Sequence, residues 1–192
     1  NFTVEWGLQG FNQGSGVGTI ITNTTAPTSI SGLTENTFYD FYVNDPCAPG
    51  TWYGPYTFKT PCSSALSGLY TVGGTPGATN FSTLDSAISR MIGCGISGPV
   101  TFNIMATSDT MEVVLPEIEG SSMTNTITLD GMGTFTLYAP GGAYGAVRLD
   151  GADHVSINNM TLVNMNGSNS HGIVAMNNSD YLTIDNNTLM VD

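Results

Sequence analysis

Three basic residues, Lys59, Arg90 and Arg148, and two histidines, His154 and His171, are all the chain offers as cationic groups or bases. Eliminative cleavage of a polysaccharide needs a base, often Arg or Lys, with acidic groups nearby to hold a metal or balance substrate charge. Only Arg148, Asp150, Asp153 and His154 fall close enough in sequence to form such a cluster. Hydrolysis of a glycoside needs paired carboxylates facing one groove. Asp150, Asp153 and Asp180 could approach one another for that purpose. Against both, Asp153 recurs as Asp180 in a repeated motif, and a recurring corner aspartate hydrogen-bonds its own backbone. The preferred expectation is therefore no catalytic residue, no bound cofactor and no metal.

Calcium is the one ion worth weighing, because acidic corners bind it in extracellular folds. No D-x-D-x-D-G loop appears, and no ligand set can be named. His171, in Asn169-Ser170-His171-Gly172, reads as a loop residue with no second ligand beside it. Cys47, Cys62 and Cys94 allow one disulfide plus one leftover thiol, with three buried free thiols as the other reading. Cys94 is placed to reach Cys62, whereas Cys47 lies at the far end of a hairpin from it.

Composition limits the partners. Charged residues are 9% of the 192-residue chain, with 15 acidic against 3 basic for a net charge of −12. Nucleic acid binding needs clustered Lys and Arg, so it is excluded, and an anionic membrane surface is disfavoured likewise. No apolar run reaches the length of a membrane span. Low charge with abundant Gly, Ser, Thr and Asn favours strands and turns over surface helices. The fold class expected is all-β.

In residues 1–62, Phe2, Val4 and Trp6 alternate with Thr3 and Glu5, the period of a half-buried strand. A glycine-rich turn follows, then a second strand over 19–25. Leu33 and Tyr39 have the spacing of a β-sandwich corner, and Phe41 and Val43 continue an inward face. Trp52 to Thr60 forms the last strand. Tyr53 and Tyr56 could line a sugar-binding face, though packing within the sheet is the preferred reading.

Residues 63–103 read as a linker and a cap. Ser82 and Asp85 have capping-box spacing, and Leu84, Ala87, Ile88 and Met91 follow at helical spacing. This predicts one short helix over about 82–92, ended by Gly93. A lone amphipathic helix before a β-rich region suits a lid over the first coil of a solenoid. Val100, Phe102 and Ile104 then alternate as a strand.

Residues 104–192 repeat. Asp153-His154-Val155-Ser156-Ile157-Asn158-Asn159 matches Asp180-Tyr181-Leu182-Thr183-Ile184-Asp185-Asn186. The offset is 180 − 153 = 27 residues, a plausible coil of a parallel β-helix. Continued, it puts Met160-Thr161-Leu162 on Asn187-Thr188-Leu189, and Val147 and Leu149 on Val174 and Met176. Ile127-Thr128-Leu129-Asp130-Gly131 fits with one residue of slip. The inward residues expected are Val155, Ile157, Met160, Leu162, Leu182, Ile184 and Leu189. Asn187 breaks the apolar pattern and is expected to stack with other corner asparagines.

Two resemblances add to this. Val4-Glu5-Trp6-Gly7, Gly32-Leu33-Thr34 with Thr37 and Tyr39, and Trp52, Gly54-Pro55 and Thr57-Phe58-Lys59-Thr60 resemble the C-terminal part of a fibronectin type III domain of Bacteroidota secreted proteins. LSGLYTVGG, the cap helix, GISGPVTFNI, NTITLDG and AVRLDGADHVSINNMTL, spanning 66–192, resemble the opening of right-handed, pectate-lyase-like β-helix domains in very large Bacteroidota surface proteins. The resemblance implies an adhesin or gliding-motility-type protein, exported to the cell surface by the type IX secretion system. The implied partners are an extracellular glycan or protein ligand and the export machinery. It also implies that Asp109-Thr110-Met111 and Asp85-Ser86-Ala87 are weak O-glycosylation acceptors, with Thr110, in an expected loop, the better candidate. The triplets at Asn23, Asn80 and Asn166 carry little meaning in so Asn/Thr-rich a chain. Such modules are structural and non-catalytic. The alternatives are the front end of a secreted polysaccharide lyase or glycoside hydrolase, or an export substrate in fragment form.

Overall fold

A computed structural model describes every residue except Pro49, Ser168 and Asn169. The chain divides into two compact units, Asn1–Ser63 and Ser64–Asp192. Almost all regular structure is strand, with one helix of 11 residues.

The first unit is a four-stranded antiparallel sheet built from β1 (Phe2–Leu8), β2 (Thr19–Thr24), β3 (Phe38–Asn44) and β4 (Trp52–Lys59), in the order β2-β1-β3-β4. Alternation sorts the side chains. Val4, Trp6 and Leu8 lie opposite Val43, Phe41 and Tyr39, so one face is apolar and aromatic. Trp6 meets Tyr39 edge-on at 5.7 Å, and Tyr39 stacks on Phe58 at 5.9 Å. The Tyr39 hydroxyl accepts a hydrogen bond from the Thr34 N–H at 2.9 Å, which fixes the corner leading into β3. A concavity of about 400 Å³, lined by Phe2, Val4, Thr28, Ile30, Phe41, Val43 and Phe58, lies on this face. Register slips between Phe41 and Val43, where Gly54 (φ 139°) passes so close that an added Cβ would sit 2.7 Å from the Phe41 carbonyl oxygen. No larger residue fits there.

The second unit is a parallel β-solenoid of about five turns. Its larger sheet holds β5 (Leu66–Val72), β6 (Asn80–Phe81), β7 (Ile96–Ile104), β8 (Ser108–Thr110), β10 (Ile127–Tyr138), β12 (Val155–Asn164), β14 (Thr183–Asp185) and β15 (Thr188–Val191). The smaller sheet stacks β9 (Val113–Pro116), β11 (Gly145–Asp150) and β13 (His171–Met176). Parallel pairing puts like residues above one another. Tyr70, Phe102, Leu129, Ile157 and Ile184 form one inward column. Phe102, Leu129 and Ile157 are at most 1% exposed, and each such side chain contributes roughly 1.5–3 kcal/mol on burial.

The 27-residue offset holds along β12: Ser156 pairs with Thr183, and Thr161 with Thr188. Ile127 pairs with Val155, the expected one-residue slip. In the smaller sheet the offset is 26, so Val147 pairs with Ile173 and Leu149 with Ala175 rather than with Val174 and Met176. The offset changes around the coil, from 25 at Leu137–Leu162 to 26 at Val147–Ile173 and 27 at Ser156–Thr183, because the β12–β13 and β13–β14 connections are each one residue longer than their counterparts a coil earlier. Val155, Ile157, Met160 and Leu162 are buried. Leu182 is partly buried against the core, while Ile184 and Leu189 are 46% and 51% exposed. Strands β14 and β15 have a neighbouring coil on one side alone, so their inward residues are half covered.

Two expectations for the cap shift. The parallel coils already begin within the segment read as cap, before residue 104, because β5 pairs in parallel with β7. Helix α1 spans Leu84–Cys94, not 82–92. Its N-cap is Thr83, whose hydroxyl accepts from the Ser86 N–H at 3.2 Å, and Ser86 Oγ accepts from the Thr83 N–H in return. The capping box is thus Thr83/Ser86, one residue later than Ser82/Asp85. Gly93 stays helical, and the chain leaves the helix at Gly95 (φ 66°), where an added Cβ would strike the Glu119 carbonyl oxygen at 2.6 Å. Leu84, Ala87, Ile88 and Met91 are buried, making the helix a lid on the first coils.

Each long strand bends midway at a left-handed residue: Met132 (φ 54°) in β10 and Asn159 (φ 56°) in β12, with Asn186 (φ 51°) next in line between β14 and β15. Asparagine tolerates this conformation and its amide bridges coils. Asn159 Nδ2 donates to Asp130 Oδ1 at 3.0 Å, and Asn186 Nδ2 donates to Asn159 Oδ1 at 2.6 Å. Asn187, expected in this ladder, has another task. Its Oδ1 accepts from the Met160 N–H at 3.1 Å and its Nδ2 donates to the Ile157 carbonyl at 2.6 Å. It satisfies the backbone that the bend in β12 leaves open.

Asn159→Ala removes two ladder bonds and strains the left-handed residue. The expected loss is about 2–4 kcal/mol in urea unfolding. Asn159→Gly keeps the backbone and loses only the ladder, about 1–2 kcal/mol. Equal midpoints for the two variants would contradict the strain argument.

Candidate functional site

The residues singled out for chemistry sit at the outer edges of the solenoid, and stacking decides their contacts. Arg148, in β11, donates through Nε to Glu112 Oε1 at 3.2 Å and through Nη1 to Asp150 Oδ2 at 3.1 Å. A guanidinium only donates, and here two of its nitrogens are engaged by carboxylates. Asp150 Oδ1 accepts from the Asn177 amide, one coil on. Asp153 Oδ1 accepts from the Asp180 N–H at 2.7 Å. The His154 ring lies over Tyr181, centroids 4.6 Å apart and planes 5° from parallel. His171 packs on Tyr144 at 4.6 Å.

Arg148 and Asp150 are therefore brought together, while Asp153 and His154 are drawn into separate corner contacts. Asp150–Asn177 and Asp153–Asp180 both span 27 residues, the length of a coil. Glu112 was not foreseen: it lies 36 residues before Arg148, across an irregular turn that no local spacing reveals. Among the described residues, no three His, Cys, Asp or Glu side chains gather to hold a metal ion. Among the described residues, no helix is long and apolar enough to cross a membrane.

The remaining candidates divide by their contacts. Cys62 and Cys94 are disulfide-bonded, and Cys47 is free and exposed. Thr110 ends strand β8 instead of lying in a loop; it pairs with Tyr138 and its side chain is exposed. Ser86 is engaged in the helix cap, its hydroxyl donating to the Thr83 carbonyl at 2.8 Å. Asn80 is tied into a turn by Thr71 and the Gly73 carbonyl, and Asn166 by the Pro140 carbonyl and Asn164. Asn23 accepts from Asn1 at 2.6 Å. Asn169 lies outside the described residues. Tyr53 and Tyr56 are 48% and 50% exposed, with Tyr56 packed on Phe41 at 5.3 Å.

Sequence reasoning missed a second feature, a pair of buried carboxylates in the first unit. Glu5 and Asp40 are 1% and 4% exposed. They lie on the sheet face opposite the aromatic one, beneath the turn that joins β1 to β2. Glu5 accepts from the Gly14 N–H at 2.9 Å and from Gln13 Nε2 at 2.9 Å. Asp40 accepts from the Gly10 N–H at 2.8 Å and from the Thr57 hydroxyl. Phe11 packs edge-on against Tyr42 at 5.4 Å. The carboxylates thus hold the turn through its backbone. The Gly10 N–H, then the Thr57 hydroxyl, keep the Asp40 carboxyl below the usual carboxylate range, against the opposing effect of burial.

The outer face of the larger sheet is different in kind. Register puts Thr101, Thr128, Ser156 and Thr183 in one column along the solenoid. Beside it run Asn103, Asp130, Asn158 and Asp185. Beyond the bend, Ser108, Thr136, Thr161 and Thr188 form a second hydroxyl column. All of these are half-buried or exposed.

No protein-family model matches this chain, and no curated protein or solved structure does either.

Two outcomes are expected in solution. Asp40 has a folded pKa below its unfolded value, so its contribution is present above the unfolded pKa and is lost as pH falls through the folded one. Acid destabilisation of the first unit should set in below about pH 4, with faster hydrogen exchange at Gly10. Asp40→Asn should flatten that part of the curve; an unchanged acid limb would rule the clamp out. Thiol titration should find one reactive cysteine, Cys47, in the native chain and two more after reduction. Three thiols without reductant would contradict the disulfide.

Proposed function

We propose that the chain is a non-catalytic structural and adhesive module of a large secreted bacterial cell-surface protein. In this reading a rigid solenoid rod is joined to a fibronectin III-like spacer. The observation that carries it is the use of the corner side chains: Arg148, Asp150, Asp153 and His154 are engaged by Glu112, Asn177, Asp180 and Tyr181. Residues engaged in holding coils together are poor candidates for moving protons on a substrate.

The finer identity of each unit is part of the proposal. The sheet order β2-β1-β3-β4 matches strands C′, C, F and G of an immunoglobulin-like sandwich, and Tyr39 with Thr34 resembles its tyrosine corner. The aromatic face of this sheet is the one a second sheet of such a sandwich would cover. A right-handed, pectate-lyase-like coil follows the general handedness of parallel connections. The disulfide favours an oxidising, extracellular setting. Assignment to a Bacteroidota surface protein, exported by the type IX secretion system, rests on the sequence resemblance. Thr110, exposed at the end of β8, remains the preferred O-glycan acceptor. The partner would be an extracellular glycan or protein, with the secretion machinery engaged during export.

Incubation of the purified chain with glycan and matrix-protein panels tests this, with binding and product release read together. Retention without soluble sugar or unsaturated uronate is expected, and Arg148→Ala should not change it. Product release that Arg148→Ala abolishes would replace this reading with the front end of a carbohydrate-active enzyme.

A further inference from the structure

We infer that the outer face of the larger solenoid sheet is a binding surface for a neutral, ordered polysaccharide. The inference rests on the adhesive reading and names its ligand class and site.

Strand geometry fixes the lattice. Adjacent coils lie about 4.8 Å apart and alternate residues along a strand about 6.6 Å apart. On one side of the bend the first hydroxyl column and the Asn/Asp column therefore run side by side at these spacings, and beyond the bend the second hydroxyl column repeats coil by coil. A partner with its own repeat can meet many such groups at once, and only a rigid face offers them without ordering cost. Sheet formation alone does not require hydroxyls here, since valine suits an outward strand position equally well. Yet from Thr101 onward each member of both columns is Ser or Thr, while the first coil departs from this with Leu69 beside Thr101.

Charge selects the class of polymer. Lys59 lies in the first unit, Arg90 in α1 and Arg148 in the smaller sheet, so this face carries no lysine or arginine. Its fixed charges are carboxylates, with Asp130 and Asp185 in the central column. Polyanions such as uronans or nucleic acid are repelled, and a neutral polymer is not. Tyr138, 45% exposed and adjoining the second hydroxyl column, adds an aromatic ring on which a sugar face can rest. Protein hot spots, by contrast, centre on buried aromatic and arginine anchors, which this polar grid lacks.

The test uses the whole chain with suspensions of microcrystalline cellulose and of insoluble chitin. Depletion from the supernatant on at least one is expected, little changed by salt. The double variant Thr128→Val and Thr161→Val should bind about tenfold more weakly, with an unchanged urea midpoint. Absence of depletion, or equal depletion by the variant, overturns the inference. Inhibition of ice recrystallisation without polysaccharide capture also overturns it, assigning the grid to ice. Capture by protein-coated surfaces alone overturns the polysaccharide while leaving the adhesive reading intact. Release of soluble sugar overturns the adhesive reading itself.

Discussion

Parallel, in-register stacking is the constraint from which the rest of the second unit follows. Each coil must place its strands on those of the coil before it, so a side chain's neighbours along the axis are residues about 27 positions away. Like then meets like. Inside, Phe102, Leu129 and Ile157 fill one continuous column. At the bend, a left-handed residue recurs in successive coils, and Asn159 and Asn186 turn that necessity into a hydrogen-bonded ladder. An amide can both donate to the coil before and accept from the coil after. A carboxylate cannot donate, which suits Asp130 to the point where the ladder starts.

The same constraint explains the low charge of the chain. A charged residue repeated at one position would face its own kind about 4.8 Å away, with repulsion along the whole column. The second unit avoids this by using Asn, Thr and Ser outside. Where it keeps charge, it alternates or pairs it. Asp130 and Asp185 are separated by Asn158 in their column, and Arg148 lies between Glu112 and Asp150. The first unit solves a different problem. Its buried Glu5 and Asp40 face no cation among the described ion pairs, and backbone N–H groups do the neutralising work. Such a carboxylate is tolerated only while its donors stay in place. The turn and the sheet consequently hold each other.

The sequence made the repeat legible because the motif beginning at Asp153 recurs with little change at Asp180, and strand pairing follows that match residue for residue. It was less legible where turns vary. The smaller sheet runs at an offset of 26 between β11 and β13, and a wider gap separates β9 from β11, because the intervening turns change length without disturbing the core. Ser82 and Thr83 are equally able helix caps by residue type; position in the fold selects Thr83. Glu112 and the Glu5/Asp40 clamp were invisible for a shared reason. Alternation assigns them to polar faces and says nothing of what folds back over those faces. The contacts that bury Glu5 come from a turn eight or nine residues away, where glycines allow the chain to reverse.

A solenoid of this kind separates the work of holding the fold from the work of meeting a partner. Corners and interior are committed: ladders, ring stacks and the arginine pair join coil to coil, and altering one member weakens its neighbours as well. The outer face of the larger sheet is committed in this way at Asp130, which starts the asparagine ladder. Elsewhere on it the backbone is already satisfied by the parallel ladder, so the hydroxyl side chains can change without touching the hydrogen bonds that stabilise the stack. The hydroxyls that recur there are not required by packing, which is why the binding surface is proposed on that face and not at the corners. A surface of neutral donors and acceptors with carboxylates and no basic side chain would favour many weak, simultaneous, uncharged contacts over a few strong ionic ones.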